Sequence, residues 1–166
     1  MKRSLLKIDE KFRRYWKRYV FQCILATIVI FIILLSLSIR DDSVIIASLG
    51  ATTFIVFAMP KDISAKATHI IGDHTVGLIC GSLCALIPHP FFLHHTIASS
   101  MVCALAVGLT IFIMVVINFE HPPAAGTALG VAIRGFSLNI AVAILASTII
   151  LALIHHLFKN RLKDLV

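Results

Sequence analysis

The segment Val20–Ile39 reads VFQCILATIVIFIILLSLSI and holds no charged residue over twenty positions. A helix needs about twenty consecutive apolar residues to cross the hydrocarbon core of a bilayer. Two later segments, Thr96–Ile117 and Phe136–Leu157, are similarly long and also lack Asp, Glu, Lys and Arg. A fourth segment, His69–Ile87, is weaker because two ionisable residues lie near its start. The sequence therefore predicts an all-α, polytopic membrane bundle with four long transmembrane helices.

The composition of the whole chain supports this class. Hydrophobic residues make up 59% and charged residues 14% of the 166 positions, and the mean hydropathy is +0.98. Soluble domains are nearer half apolar and a quarter charged. Because little of the chain remains outside the bilayer, we expect no separate soluble catalytic domain and predict that the protein is not an enzyme.

Two short apolar segments lie between the long ones. Val44–Met59 ends at Pro60, and Pro122–Ile133 is rich in Ala and Gly. Both are short for a crossing, so each is predicted to be either a short transmembrane helix or a re-entrant half-helix. A shift of 76 residues places Gly50 on Gly126 and also aligns two long segments, which suggests an internal 3+3 repeat. Short segments interrupted by Gly and Pro in matching halves are typical of transporter binding sites.

The positive charges predict an orientation. Eight of the fifteen Lys and Arg residues lie in the first eighteen positions. Six crossings leave thirteen positive residues inside and two outside, whereas four or five crossings give eleven and four. The positive-inside rule therefore favours six crossings. Both even-numbered arrangements place the N- and C-termini in the cytoplasm, and the N-terminus lacks a cleavable leader pattern. We expect a multi-pass protein of a bacterial inner membrane.

The chain is predicted to have three parts. Residues 1–19 form a basic amphipathic segment that binds anionic lipid, with Trp16 at headgroup depth. Residues 20–158 form the transmembrane domain, and residues 159–166 form a short basic tail. No aromatic-basic motif accompanies the basic cluster, so we predict no nucleic-acid partner. Small residues permit close helix packing and self-association into a homo-oligomer, and they occur at helical spacing at Gly77, Gly81, Ala85, Gly126 and Gly130.

The sequence from 120 to 130, EHPPAAGTALG, carries the most distinctive local chemistry. Proline has no N–H and a fixed φ, so it suits the first turn of a helix. His121 is therefore expected just before a helix that the two prolines begin. Free N–H groups near Ala124 and Ala125 and the positive end of the helix dipole would then form an anion site.

This sequence resembles the HPP family of integral membrane proteins, named for the tripeptide that stands here as His121-Pro122-Pro123. The family's pattern continues into a small-residue stretch, matched by AAGTA at 124–128, and a second matching region covers 48–60. The resemblance extends roughly from Trp16 to Leu157.

The resemblance implies a four-helix membrane protein that acts as a transporter, and some cyanobacterial and plastid members of the family are linked to nitrite transport. Glu120 departs from the uncharged residue expected before the motif. A negative charge there would repel nitrite unless it were paired or protonated.

We therefore predict a transporter or channel for a small anionic solute, whose pathway runs between the two short segments. The residues predicted to line it are His121, Pro122, Pro123, Gly126, Thr127, Gly50, Thr52 and Arg134. Arg134 is either an anion ligand, an ordinary flanking charge or the partner of Glu120. The predicted proton carriers are Asp73, Glu120, His69 and His121. His69 and Asp73 lie one helical turn apart and are expected to pair as a proton relay, whereas His74 is expected to face elsewhere.

Two other functions remain open. A redox or metal-binding membrane protein would need histidines that face each other at one depth on different spans. Most of the eight histidines fall in loops or at span ends, and the four cysteines lack C-x-x-C spacing, so we predict no metal and no cofactor. The other alternative is a non-transporting membrane subunit in which Gly and Ala serve only packing.

Overall fold

The computed structural model describes residues 2–36, 42–87 and 96–166. These residues form six α-helices and one 3₁₀ turn, and no strand occurs among them. The helices are α1 Lys2–Ser36, α2 Ser43–Ala58, α3 Ala67–Ala85, α4 Thr96–Val116, α5 Pro123–Arg134 and α6 Leu138–Phe158, and the 3₁₀ turn Ile63–Ala65 precedes α3. The all-α prediction is confirmed over the described part of the chain.

Three helical stretches are long and apolar enough to cross a membrane, namely Phe12–Ser36, Ile97–Val116 and Leu138–Phe158. Three of the four predicted long spans are therefore confirmed, although the last residues of the first predicted span lie outside the described ranges. Helix α3 has nineteen residues but is not among the three. Its ionisable residues lower its hydropathy, and it lies inside the bundle instead, packed against α4, α5 and α6.

Helix α1 joins the basic segment and the first span without a break. Neither Gly nor Pro occurs between Lys2 and Ser36, so nothing in this stretch interrupts the backbone hydrogen bonds of a helix. The boundary predicted at residue 19 is therefore a change of composition along one helix.

Helices α3 and α5 run parallel and touch through glycines. A Cβ atom on Gly81 would lie 2.6 Å from the carbonyl oxygen of Ala128 and 2.9 Å from Cβ of Val131, and a Cβ atom on Gly77 would overlap the carbonyl oxygen of Ala124. Real Cβ atoms do not approach backbone this closely. The small-residue stripe predicted on α3 therefore permits close approach to another helix, as expected.

Helices α2 and α5 run antiparallel. A Cβ atom on Gly126 would lie 3.2 Å from Cβ of Ser48, and one on Gly130 would lie 2.7 Å from Cγ1 of Ile45. The contacts follow α5 from its start to its end as they follow α2 from its end to its start, which makes these two helices antiparallel. Helix α5 therefore contacts both α2, to which it is antiparallel, and α3, to which it is parallel. An inverted repeat would produce an antiparallel pair of short helices, and the 3+3 repeat itself stays a prediction.

The first turns of the α1 span meet the C-terminal tail at one end of the bundle, here called the tail end. The Gln22 amide donates to the carbonyl oxygens of Phe57 and Lys163, the latter at 2.9 Å, and accepts the Lys163 N–H at 3.1 Å. The Tyr19 hydroxyl donates to the carbonyl oxygen of Leu165 at 2.8 Å. The basic start of the chain and its basic tail therefore lie on the same side, and the cytoplasmic identity of that side stays a prediction.

The main apolar core lies between α1, α2, α3 and α6. Its fully buried members include Ile33, Leu49, Ile70, Ile144 and Leu151. A smaller cluster of Cys84, Ala106 and Ala128 joins α3, α4 and α5. The contact region of α2, α3 and α5 lies between these two apolar clusters.

Candidate functional site

Five polar side chains meet where α2, α3 and α5 come together, and we call them the polar network. Each is at most 4% exposed, and the members are Ser48, Thr52, His74, His121 and Thr127. Ser48 and Thr52 lie one turn apart on α2, His74 lies on α3, His121 directly precedes the prolines that begin α5, and Thr127 lies on α5. A buried polar group is costly unless it is hydrogen-bonded, so their partners decide what this site can do.

Thr52 lies between the two histidines of the polar network. Its Oγ1 atom is 2.8 Å from Nε2 of His74 and 3.0 Å from Nε2 of His121. The two ring centroids are 5.2 Å apart. One hydroxyl therefore connects the imidazole on α3 to the imidazole that precedes α5, an arrangement through which a proton can pass from one ring to the other.

Backbone carbonyl groups hold both ends of the polar network. At the tail end, Nδ1 of His121 lies 2.8 Å from the carbonyl oxygen of Ser64 in the 3₁₀ turn, and a carbonyl only accepts, so this Nδ1 carries hydrogen. At the other end, the Ser48 hydroxyl donates to the carbonyl oxygen of Pro123 at 2.6 Å. Between them, Thr127 Oγ1 lies 2.9 Å from Ser48 Oγ and 2.7 Å from His74 Nδ1.

The start of α5 differs from the prediction. The Ala124 N–H donates to the carbonyl oxygen of His121 at 3.0 Å, and the Ala125 N–H donates to that of Pro122 at 3.1 Å. These are the i to i−3 bonds of a tight 3₁₀-type first turn. The expectation of free N–H groups at Ala124 and Ala125 is therefore wrong, and those two amides offer no anion site.

The structure brings several predicted pathway residues together at the polar network. His121, Thr52 and Thr127 belong to it, Pro123 accepts from it through its carbonyl oxygen, and Gly126 packs against Ser48.

Three other predicted pathway residues lie elsewhere. Gly50 is exposed and lines a groove between α1 and α2, and Pro122 is exposed. Arg134 lies at the far end of α5, where its Nε is 2.7 Å from Oδ1 of Asp42. The ion-pair partner of Arg134 is therefore Asp42 and not Glu120.

The predicted proton carriers do not form the expected pair. The Glu120 N–H donates to His69 Nδ1 at 3.0 Å, and the His69 ring packs against Phe119 with centroids 5.0 Å apart. Asp73 is fully buried, and neither of its carboxyl oxygens has a hydrogen-bond partner among the described residues. A buried carboxyl without a partner is costly inside a membrane, and such groups commonly have a function. The role of Asp73 as a proton carrier stays a prediction.

Sequence reasoning missed His74 and Ser48. The sequence pattern predicts that His74 faces away from the site, because it does not share a helix face with Asp73, yet the structure places its ring against Thr52 of α2 and Thr127 of α5. Most histidines are predicted in loops or at span ends, yet His74 and His121 face each other in the core. The spacing of Ser48 and Thr52, one turn apart in an apolar helix, is the signal that could have pointed to the site. Among the described residues, no group of three or more His, Cys, Asp or Glu side chains is placed to hold a metal ion.

Membrane-length apolar helices around a sealed polar centre define a polytopic helical membrane protein. The chain belongs to the HPP family, since the family described as HPP, transmembrane region, matches residues 11–164. A transmembrane protein of Dictyostelium discoideum is 36% identical over 87 residues, which are 52% of this chain and 29% of that relative. The chain thus spans less than a third of the relative's length. No solved structure matches the chain.

Proposed function

We propose that the protein transports a small anion across the membrane together with a proton, and that the anion is nitrite or one of similar size and charge. The observation that carries this proposal is the polar network, which lies sealed in the core where the two short helices meet. Intramembrane polar groups are costly and commonly mark ion and proton pathways.

An entrance for the anion lies at the end of the bundle opposite the tail end. A cavity of about 210 Å³ opens there between α2 and α5, and its lining includes Asp42, Ser43, Ile45, Gly130 and Arg134. The Arg134 side chain is 53% exposed, so its guanidinium remains accessible to an anion although it is paired with Asp42. A planar guanidinium presents paired donors that suit an anion with two oxygens.

An apolar contact separates this cavity from the polar network. Ile45 is 1% exposed and packs into the gap left by Gly130, one turn away from the contact of Ser48 with Gly126. The route is therefore closed in this structure, and passage requires α5 to move relative to α2. Small residues at such contacts let packed helices shift with little steric resistance.

Movement with a proton lowers the cost of the passage. A lone anion in the bilayer centre is unfavourable, whereas an anion accompanied by a proton carries no net charge. The proposed mechanism therefore places a proton carrier beside the anion route, where the two histidines lie.

A second candidate function rests on the same two histidines. Imidazole is a common metal ligand, and His74 and His121 face each other 5.2 Å apart. A metal site would have to displace Thr52 and recruit further ligands. Metal analysis of the purified protein tests this alternative, and one metal ion per chain that is lost in His74→Ala would favour it over transport.

Uptake of nitrite and a panel of other small anions into liposomes that hold the purified protein tests the leading proposal. We expect saturable uptake of at least one anion, faster with an inward proton gradient and strongly reduced in His121→Ala. His156→Ala is the matched control, because His156 is exposed at the end of α6. Uptake equal to that of empty liposomes for every anion would refute transport and favour a non-transporting subunit.

A further inference from the structure

We propose that the polar network is a binding site for a single proton, which His74 and His121 share through the Thr52 hydroxyl. The role of this proton as the coupling ion rests on the proposed function, whereas its binding to the two histidines does not.

Hydrogen counting leads to this site. The polar network forms a chain of six contacts that runs from the carbonyl oxygen of Pro123 to that of Ser64. Each contact needs one hydrogen, and the carbonyl oxygens at the two ends supply none. The five side chains between them supply one hydrogen each when neutral, because a hydroxyl and a neutral imidazole each have one. The chain is therefore one hydrogen short, and one added proton completes it.

The shortage falls on Thr52. With Ser48 donating to Pro123, Thr127 must donate to Ser48, and Nδ1 of His74 must donate to Thr127. Both Nε2 atoms that face Thr52 are then acceptors, and the single Thr52 hydrogen reaches only one of them. The carbonyl oxygen of Ser48, 3.1 Å from Thr52 Oγ1, is a further acceptor and does not relieve the shortage.

An added proton has two alternative positions. It lies on Nε2 of His74, with Thr52 donating to His121, or on Nε2 of His121, with Thr52 donating to His74. Reorientation of one hydroxyl and transfer of one proton interconvert the two forms. Without the added proton, every arrangement of hydrogens leaves at least one contact in which two acceptors face each other, either at Thr52 or elsewhere in the chain of contacts.

The titratable groups around the polar network are few. Helix α2 has none, α4 has only Cys103, and α5 and α6 carry theirs only at their ends. The 3₁₀ turn is flanked by Lys61, Asp62 and Lys66 at the tail end. The remaining groups are Cys80 and Cys84 on α3, together with His69, Asp73 and Glu120.

Asp73 is the buried acid next to His74 in the chain, and it has no hydrogen-bond partner among the described residues. An ionised Asp73 together with one proton on the polar network leaves this part of the core without net charge. The cost of burying the imidazolium is thereby reduced.

Solid-state NMR of protein labelled with ¹⁵N-histidine in lipid bilayers tests the inference from about pH 5 to pH 9, the range in which histidines titrate. The signals of the two rings are identified by their loss in His74→Gln and His121→Gln. Over part of this range, we expect the two rings together to carry three N–H hydrogens in the wild-type protein.

Two variants should remove the added proton and leave opposite tautomers. In Thr52→Val the two central contacts disappear, and His74 becomes neutral with its hydrogen on Nδ1. Ser48→Ala leaves four contacts and four hydrogens, so no proton is missing. Thr127 then donates to Nδ1 of His74, and His74 becomes neutral with its hydrogen on Nε2. Thr53→Val is the matched control, because among the described residues the buried Thr53 hydroxyl bonds only to Leu49 of its own helix, and it should keep the wild-type pattern.

The inference is overturned if, at every pH at which the rings of Thr52→Val and Ser48→Ala carry two N–H hydrogens, the wild-type rings also carry only two. It is also overturned if Thr53→Val loses the added proton as those two variants do. If Thr52→Val fails to fold, the opposite tautomer predicted for Ser48→Ala still decides the question. Because the readout is ring protonation, a failure of anion uptake leaves this result unchanged. Proton-coupled uptake in a protein whose two rings stay neutral would place the coupling site elsewhere and refute the inference.

Discussion

Replacement of Gly81 by alanine should destabilise the bundle, whereas the same replacement at Gly108 should not. A Cβ atom at position 81 would lie 2.6 Å from the carbonyl oxygen of Ala128, against about 3.4 Å for ordinary contact, so α3 and α5 would have to separate by about 0.8 Å. The obstacle is backbone and cannot rotate away. At Gly108, no atom of the described residues lies within 4 Å of the added carbon.

The magnitude follows from the difference between the two variants. Alanine is favoured over glycine in a helix by up to about 1 kcal/mol, and this gain applies to both positions and cancels. Overpacking of a close contact costs about 1–3 kcal/mol. We therefore expect Gly81→Ala to be less stable than Gly108→Ala by about 1–3 kcal/mol, since only the first has the clash.

The assay is equilibrium unfolding of the purified variants in mixed micelles with increasing SDS, followed by circular dichroism. Wild-type protein is measured alongside, and two-state behaviour is checked by reversal. A Gly81→Ala variant as stable as Gly108→Ala would refute the close α3–α5 contact, and with it the packing that positions Thr127 and His121.

Three further predictions concern the two ends of the bundle. Hydrogen bonds from the hydroxyl and backbone N–H of Ser64 lower the pKa of Asp62, so the ionised carboxylate stabilises the folded protein above about pH 4, and this stabilisation is lost as the pH falls through the lowered pKa. The difference in unfolding free energy between wild type and Asp62→Asn, measured at several pH values, should therefore shrink in acid. Gln22→Leu leaves buried backbone groups of the tail without partners, costs about 1–3 kcal/mol and should expose the C-terminus to proteolysis. Arg134→Gln should raise the KM for the transported anion about tenfold, corresponding to about 1.5 kcal/mol for a charged hydrogen bond, while a control Asp42→Asn keeps the guanidinium and should not.

The helices could be predicted from the sequence because the membrane imposes both length and composition on them. The segment predicted at Thr96–Ile117 is helical over Thr96–Val116, and the short segment predicted at Val44–Met59 is helical over Ser43–Ala58. Local signals also set the ends. Gly135 has a φ of +86°, which glycine adopts without strain, and it directly follows Arg134, the last helical residue of α5, which lies one position beyond the predicted end of that segment at Ile133.

The polar network could be predicted only in part, because it depends on how helices are rotated against one another. Asp73 and His74 are adjacent and differ by about 100° around the axis of α3. The sequence does not specify which of them faces α2. The predicted proton carrier Asp73 has no hydrogen-bond partner among the described residues, whereas His74 makes two contacts of the polar network. The tight first turn of α5 was missed for a related reason, since the position of its carbonyl acceptors depends on the turn before it.

The two closures around the polar network respond differently to a proton. Toward the tail end, the network is held by His121 Nδ1 on the carbonyl oxygen of Ser64, and a hydrogen bond from an imidazolium is stronger than one from a neutral ring. Toward the opposite end, the seal is the apolar contact of Ile45 with Gly130, which a proton does not strengthen. Proton binding should therefore hold the tail end closed, and it should also restrain α5 against α2 through the completed hydrogen bonds of Ser48 and Thr52, although the contact of Ile45 with Gly130 itself is unchanged. In the proposed transport, proton release is therefore the step that should free α5 to move relative to α2, and proton binding is the step that should hold the route closed.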